Sequence, residues 1–270
     1  MERQIITSRQ NPLVKLVCGL AQKKRRADEG LFRFDGIKLL GEALSSDISI
    51  KYVICRYPTD GRIDAMIEQG ISNGRLDACS AVFVSDSVFE KISDELSPEG
   101  VITVARIPQR EKDTPIGDGE RILIAESLRD PGNLGTVMRS CYALGIDRLV
   151  LTDDCADTYS SKTLRAAMGA IFRLRTMTVK KDELSDFIKA LRESGRRVYA
   201  TALSPNSRSI EEISLVRGDC FVIGNEGHGL TDDTVTACTE SVIIPMRKDA
   251  ESLNAAAAAS ICIWETVKAR

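Results

Sequence analysis

Apolar residues in the first hundred positions recur with two alternating periods. Between residues 11 and 22, Leu13, Leu16, Val17 and Leu20 follow helical spacing, and a basic cluster closes the run, where cations suit the helix dipole. Residues 31–34 alternate as a strand does, Asp35 and Gly36 turn, and residues 37–44 return to the helical period. The same reading predicts strands at 50–55, 81–84 and 101–107, with helices at 62–69 and 85–96, the last capped by Ser85 or Ser87. Together these form an α/β or α+β module of about a hundred residues.

Residues 108–119 interrupt the pattern with two prolines, two glycines and a run of charges, and read as a linker. Beyond them, strands of near-continuous apolar character (121–125, 148–152, 174–179, 197–202, 220–223 and 241–244) alternate with helices (135–144, 160–170, 182–193, 231–236 and 253–268). That alternation predicts a mainly parallel sheet covered on both faces, which divides the chain into 1–107, a linker at 108–119, and 120–270. Ligands of such sheets bind beyond the carboxyl ends of the strands, so the loops there hold the candidate chemistry.

Composition narrows the function classes. At 270 residues and 43 % apolar content the chain can build two ordinary cores, and charges break every apolar run before a membrane span is complete. Residues 1–4 lead into no signal-peptide pattern, and a cytoplasmic protein is the expectation. The eight cysteines (18, 55, 79, 141, 155, 220, 238 and 262) include no C-x-x-C pair and read as small buried apolar residues. The single histidine, His228, excludes a histidine-based metal cluster. A net charge of −2 does not by itself suggest a nucleic-acid partner, but Arg3, Arg9, Lys15, Lys23, Lys24, Arg25 and Arg26 crowd the start with Glu2 the only acid before Asp28. That cluster is either a solvated helix end or a surface that tracks phosphates.

Three loops carry the candidate chemistry. In Glu126 to Arg139, Pro131–Gly132 forces a turn, Asn133 is a natural helix cap, and Arg139 projects from an otherwise apolar helix where a guanidinium calls for a charged partner such as phosphate. In the second, Gly224, Gly227 and Gly229 follow a strand with G-x-x-G-x-G spacing, unlike the dinucleotide fingerprint or a Walker loop. Glu226 adds a carboxylate there, and His228 lacks the nucleophile-elbow companions of a catalytic base. In the third, a strand stopped by Pro245 passes through a short charged loop to Ser252, a cap for the helix begun by Leu253–Asn254 and continued by Ala255 to Ala259. Taken alone, that joint reads first as a packing helix.

Asn133-x-Gly135-x-x-x-Arg139, Gly224-Asn225-Glu226-Gly227, and Ile244-Pro245-Met246 with Ser252-Leu253-Asn254 resemble, in order and spacing, the three signature motifs of the SpoU (TrmH-type) RNA 2′-O-ribose methyltransferases of the SPOUT superfamily. The first module resembles, more weakly, the L30e-like substrate-binding domain of such enzymes. The resemblance implies a C-terminal domain with a deep trefoil knot, S-adenosylmethionine bound in a bent form, no metal, and a homodimer formed through that domain. It places Leu203, Gly224, Asn225, Gly227, Ile244, Met246 and Leu253 against the methyl donor, and Asn133, Arg139, Glu226, Ser252 and Asn254 in the catalytic and RNA-facing group. Candidate RNA contacts are Arg9, Lys23, Lys24, Arg25, Arg26 and Arg165. The sequence departs from the family pattern at Lys248 (usually Gly), Ala255–Ala256 (Val-Ser), Ala167 (Ser) and Asp35 (Glu), which bears on the RNA substrate.

The expected activity is methyl transfer to a ribose 2′-hydroxyl of structured RNA. Family analogy favours 23S-type rRNA because an additional N-terminal module is present. A tRNA substrate, or a non-catalytic RNA-binding module on the same fold, is the alternative. The glycine spacing disfavours an NAD-dependent oxidoreductase.

Overall fold

In the computed structural model, residues 4–108, 115–204, 206–247, 249 and 252–268 are described, and they divide into two compact units. The first begins with β1 (Ile5–Ile6), α1 (Pro12–Gly19), α2 (Lys23–Glu29), β2 (Leu31–Asp35) and α3 (Ile37–Leu44). It continues through β3 (Ile50–Arg56), α4 (Gly61–Ser72), β4 (Ala81–Val84), α5 (Asp86–Ile92) and β5 (Val101–Arg106). Its sheet has the order β1-β4-β3-β5-β2, with β1, β4 and β3 parallel and β5 antiparallel to both neighbours. The period of two along β3 sends Ile54 into a core with Val14, Val17 and Phe89, and Val53 and Cys55 into another with Leu40, Ile63 and Ile67.

The first helix is shorter than its apolar spacing suggests. Asn11 caps it, its Oδ1 accepting from Leu13 N at 2.9 Å, with Pro12 at the first helical position. It ends at Gly19 because the Arg26 guanidinium turns back and donates to the Leu20 and Ala21 carbonyls at 2.6 and 2.9 Å. The basic cluster therefore does not close this helix; it opens α2, which ends at Gly30 with φ of 62°. The helix expected over 85–96 stops at Ile92, after which Ser93 adopts an extended conformation.

The second unit contains β6 (Ile122–Ala125), α6 (Pro131–Leu144) and β7 (Arg148–Thr152). After α7 (Ser161–Ala167) it resumes with β8 (Arg175–Val179), α8 (Leu184–Glu193), β9 (Val198–Thr201) and β10 (Arg208–Ser209). It closes with β11 (Cys220–Ile223), α9 (Asp232–Ala237), β12 (Glu240–Ile243) and α10 (Ala255–Lys268). The strand order is β10-β12-β9-β11-β6-β7-β8, and every neighbouring pair is parallel. Helices α8 and α9 bury Leu184, Ile188, Leu191 and Ala237 against one face. Each of the three large α8 side chains contributes about 1.5–3 kcal/mol of burial. Helices α6 and α10 pack together, and their small residues let the backbones approach until Ser140 Oγ and Ser260 Oγ lie 2.9 Å apart.

Tyr159–Arg173, including α7, belongs to the first unit although it lies between β7 and β8. Tyr159 packs on Phe32 with ring centroids 4.7 Å apart, and Phe172 on Phe34 at 5.0 Å. Arg173 donates to Glu42 Oε2 at 2.7 Å. Within the expected linker, residues 109–114 lie outside the described residues. The rest is tied to the second unit through Arg196, which donates to the carbonyls of Gly117, Glu120 and Gly218.

Candidate active site

The chain leaves β6 through two buried residues, Glu126 and Ser127, and Ser127 takes a left-handed φ of 53°. A non-glycine residue there costs about 1–3 kcal/mol unless its surroundings hold it. Three hydrogen bonds do so. Ser127 N donates to Thr152 Oγ1 at 2.8 Å, its Oγ donates to Asp154 Oδ2 at 2.7 Å, and Asn225 Nδ2 donates to its carbonyl at 2.8 Å. Beyond this turn and Leu128, the backbone N–H groups of Arg129 and Asp130 donate to the Glu226 carboxylate at 3.4 and 3.3 Å.

Asp130, not Asn133, caps α6: its Oδ1 accepts from Asn133 N at 2.8 Å, and Pro131 occupies the first helical position. The Asn133 amide is thereby freed for other partners. Its Nδ2 donates to Glu226 Oε1 at 3.0 Å, and its Oδ1 accepts from Asn254 Nδ2 at 2.9 Å. Asn254 in turn caps α10, its Oδ1 accepting from Ala256 N at 2.9 Å and Ala257 N at 3.3 Å, the part the sequence assigned to Ser252. One chain of hydrogen bonds, Glu226–Asn133–Asn254–α10, therefore joins all three loops. It runs from a carboxylate to the positive end of a helix dipole.

The loop after β11 folds on itself. Asn225 and Gly229 exchange both backbone hydrogen bonds, at 3.0 and 2.9 Å, and Asn225 Oδ1 accepts from Gly227 N and His228 N. A Cβ on Gly224 would stand 2.4 Å from the Gly229 carbonyl carbon and 2.6 Å from Leu230 N. The close approach that this glycine permits is thus to its own loop. His228 is exposed, and its backbone rather than its imidazole is engaged.

Arg139 stands apart from this group. Six residues along an α-helix amount to about 9 Å of rise and about 240° of rotation from Asn133. The Arg139 side chain is exposed, with no hydrogen bond or ion pair among the described residues. Ser252 is likewise exposed without a hydrogen bond among the described residues. Lys248 lies outside them.

The donor-binding candidates sit beyond the carboxyl ends of the adjacent strands β9, β11 and β12. Leu203 (88 %), Met246 (44 %) and Leu253 (39 %) are among the few large apolar side chains left exposed, and Ile244 is half-buried. Exposed apolar side chains beside the polar backbone of Gly224 to Gly227 suit a ligand with an aromatic base and a polar tail. No group of side chains able to hold a metal ion occurs among the described residues.

In the first unit, Arg9 Nε donates to Ser87 O at 3.1 Å, Lys23 and Lys24 are exposed, and Arg25 pairs with Glu29 at 2.7 Å. Arg165 pairs with Glu95. Arg26 is only 6 % exposed and engaged with backbone carbonyls, so it does not belong to an outward basic face. The sequence reading did not find Asp154. Burial pushes its carboxyl up, but hydrogen bonds from Ser127, Thr152, Arg129 and Lys181 outweigh this and hold it well below the usual carboxylate range. Its place two residues past β7 was the signal available.

The SpoU rRNA methylase family model matches residues 120–264, and that of the MRM3-like substrate-binding domain matches residues 11–103. The chain is 31 % identical over 259 residues to the 23S rRNA (guanosine(2553)-2′-O)-methyltransferase of Bacillus subtilis, covering 96 % of this chain and 97 % of that protein. It is 25 % identical to the 23S rRNA (uridine(2479)-2′-O)-methyltransferase of Streptomyces viridochromogenes, over 98 % of this chain and 92 % of the relative. The AdoMet-bound rRNA methyltransferase of Sinorhizobium meliloti superposes with a TM-score of 0.83 at 28 % identity, covering 99 % of this chain and 98 % of that one. The chain belongs to the SpoU rRNA methylase family.

Proposed function

We propose that the protein transfers a methyl group from S-adenosylmethionine to a ribose 2′-hydroxyl of 23S-type rRNA. The observation that carries this is the Glu226–Asn133–Asn254 hydrogen-bond chain, which gathers three loops into one site beyond the strand ends. Leu203, Ile244, Met246 and Leu253, with the backbone of Gly224, Asn225 and Gly227, would hold the donor. When bound, S-adenosylmethionine supplies an electrophilic methyl group on a sulfonium.

The chain's own task is to orient the hydroxyl and favour its alkoxide. Arg139 acts in this reading as a cation whose planar guanidinium donates hydrogen bonds to the 2′-oxygen or a neighbouring phosphate. Asn133 and Asn254 fix the site through neutral hydrogen bonds, and Glu226 fixes the loop that leads into α6. Exposed Ser252 is available to the RNA.

Residues 1–107 form the RNA-binding part in this reading, with Arg9, Lys23, Lys24 and Arg25 as contacts and Arg165 of α7 adding another, and residues 120–270 form the knotted, donor-binding part. Tyr142 (47 % exposed) on α6 and Trp264 (53 %) on α10 support a homodimer through the second unit. No described helix is long and apolar enough to cross a membrane, and a cytoplasmic location is part of the same proposal.

The test is Arg139→Ala, assayed by donor calorimetry and by methyl transfer to ribosomal RNA. Transfer is expected to fall by about a hundredfold or more, the scale of losing one preorganised transition-state donor, with donor affinity kept. Transfer at the wild-type rate would sink the role given to Arg139. A chain that binds no donor at all would favour the non-catalytic RNA-binding reading.

A further inference from the structure

Within the first unit, a cavity of about 260 Å³ is walled by Asp35, Lys38 and Leu39 from the β2–α3 turn, by Glu95 and Glu99 from the loop before β5, and by Arg165 and Met168 from the end of α7. The volume lies below the roughly 300–1,000 Å³ of drug-sized ligand sites, which suits a single flat ring system. Three carboxylates and two cations leave the walls with one net negative charge, so the guest is not a phosphate. Glu95 is neutralised by Arg165, and Glu99 Oε2 accepts from Ile37 N at 2.7 Å. Asp35 is left. One of its oxygens accepts from Ser93 Oγ at 3.2 Å, and the other has no hydrogen-bond partner among the described residues. Burial, only partly offset by the nearby Arg33 charge and the Ser93 hydrogen bond, pushes its carboxyl up, the mark of a poorly hydrated acceptor.

Two apolar side chains, buried Leu39 and half-buried Met168, complete the walls. Met168 holds a left-handed φ of 50°, one of two non-glycine residues with positive φ among the described residues. The other, Ser127, lies in a loop of the candidate active site. Strain of this kind persists where the surroundings over-determine it, and it concentrates at ligand sites.

We infer that this cavity takes the base of one unpaired guanosine of the RNA substrate, its N1–H and N2–H groups donating to the Asp35 carboxylate and its ring lying against Met168. The inference rests on the RNA-methyltransferase reading above. Guanine is selected because it alone presents two adjacent donors on its Watson–Crick edge. Adenine and cytosine place a ring acceptor beside their amino group, and uracil flanks its single N–H with two carbonyls, all of which a carboxylate repels. Lys38, exposed and without an ion pair among the described residues, stands at the rim for a flanking phosphate.

The test uses the full chain labelled at its six methionine methyl groups, with the Met168 resonance identified by its loss in Met168→Leu. The four ribonucleoside 5′-monophosphates are titrated in turn. The Met168 methyl is expected to shift with GMP at concentrations about tenfold below those needed for AMP, CMP or UMP, and Asp35→Asn should remove that preference. A silent Met168 methyl, equal responses to all four nucleotides, or a GMP preference that survives Asp35→Asn would overturn the inference. The wild-type comparison decides the matter even if Asp35→Asn does not fold. S-adenosylmethionine added to the same sample is read at Met246. A donor response there with no GMP response at Met168 refutes the base pocket alone, and a Met168 response without one refutes the donor site alone.

Discussion

Replacing Gly224 by alanine sets one methyl group against backbone. The new Cβ would meet Gly229 C at 2.4 Å, Leu230 N at 2.6 Å and Gly229 O at 2.7 Å, and no flexible side chain is there to yield. Overpacking alone costs about 1–3 kcal/mol. Relieving it by opening the loop neck instead gives up the two Asn225–Gly229 hydrogen bonds, each worth about 0.5–1.5 kcal/mol, so either route costs about 1–3 kcal/mol. Opening the neck also displaces Asn225 from Ser127 and Glu226 from Asn133, so the damage reaches the site. Even the lower bound corresponds to about a fivefold loss of donor affinity if it falls wholly on the binding-competent loop. The assay is a urea unfolding midpoint together with donor calorimetry. Gly227→Ala is the control for stability, since its Cβ would meet only Asn225 Oδ1 at an ordinary 3.6 Å and should leave the midpoint unchanged. A Gly224→Ala protein with wild-type midpoint and wild-type donor affinity would refute the reasoning.

Asn254→Ala removes the cap of α10 and the partner of Asn133 together; a stability loss of about 0.5–2 kcal/mol and a larger relative loss of methyl transfer are expected from unfolding curves and initial rates, and unchanged transfer would detach Asn254 from the site. Asp154→Asn tests the anchor of the strained Ser127. The folded carboxyl titrates below its usual 3.8, so the stabilisation it provides is present above about pH 4 and is lost as pH falls further. Wild type should therefore exceed the variant in stability by a constant margin at neutral pH and converge with it in acid, and a margin independent of pH would contradict this. In a thiol-reagent time course on the native protein, exposed Cys79 should react first and partly buried Cys18 more slowly. The six buried thiols, Cys238 among them with its pKa pushed up to about 12, should react only after unfolding, and a rapid third thiol would show that the cores are looser than described.

Much of the second unit was legible because its central strands are buried on both faces, so runs such as Cys220–Ile223 and Arg148–Thr152 stand out as apolar blocks between helical periods. Helix starts were harder. Asp130 and Asn133 are both capping residues, and Pro131 decides between them only once it is seen at the first helical position. Asn254 took precedence over Ser252 in the same way. The two-residue strands β1 and β10 are too short to show a period. Cysteines read as buried include two exceptions, exposed Cys79 and partly buried Cys18.

What the sequence concealed most was tertiary. Periodicity reports that α7 has an apolar face, not which unit that face covers, so the packing of Tyr159 and Phe172 on Phe32 and Phe34 was not foreseen. Nothing in a serine at position 127 announces a left-handed turn. The three motifs were correctly gathered at strand ends, yet their spacing did not reveal the bonds between Glu226, Asn133 and Asn254. Nor did the spacing of Asn133 and Arg139 along one helix show that Arg139 takes no part in those bonds.

The most direct test supplies the purified protein with methyl-labelled S-adenosylmethionine and unmodified 23S rRNA or, separately, a tRNA pool, followed by mass spectrometry of the nuclease-digested RNA. A single 2′-O-methylated nucleotide in the 23S rRNA, absent from the tRNA and lost in Arg139→Ala, is the expected result. Label in no RNA, or on a base instead of a ribose, would contradict the account.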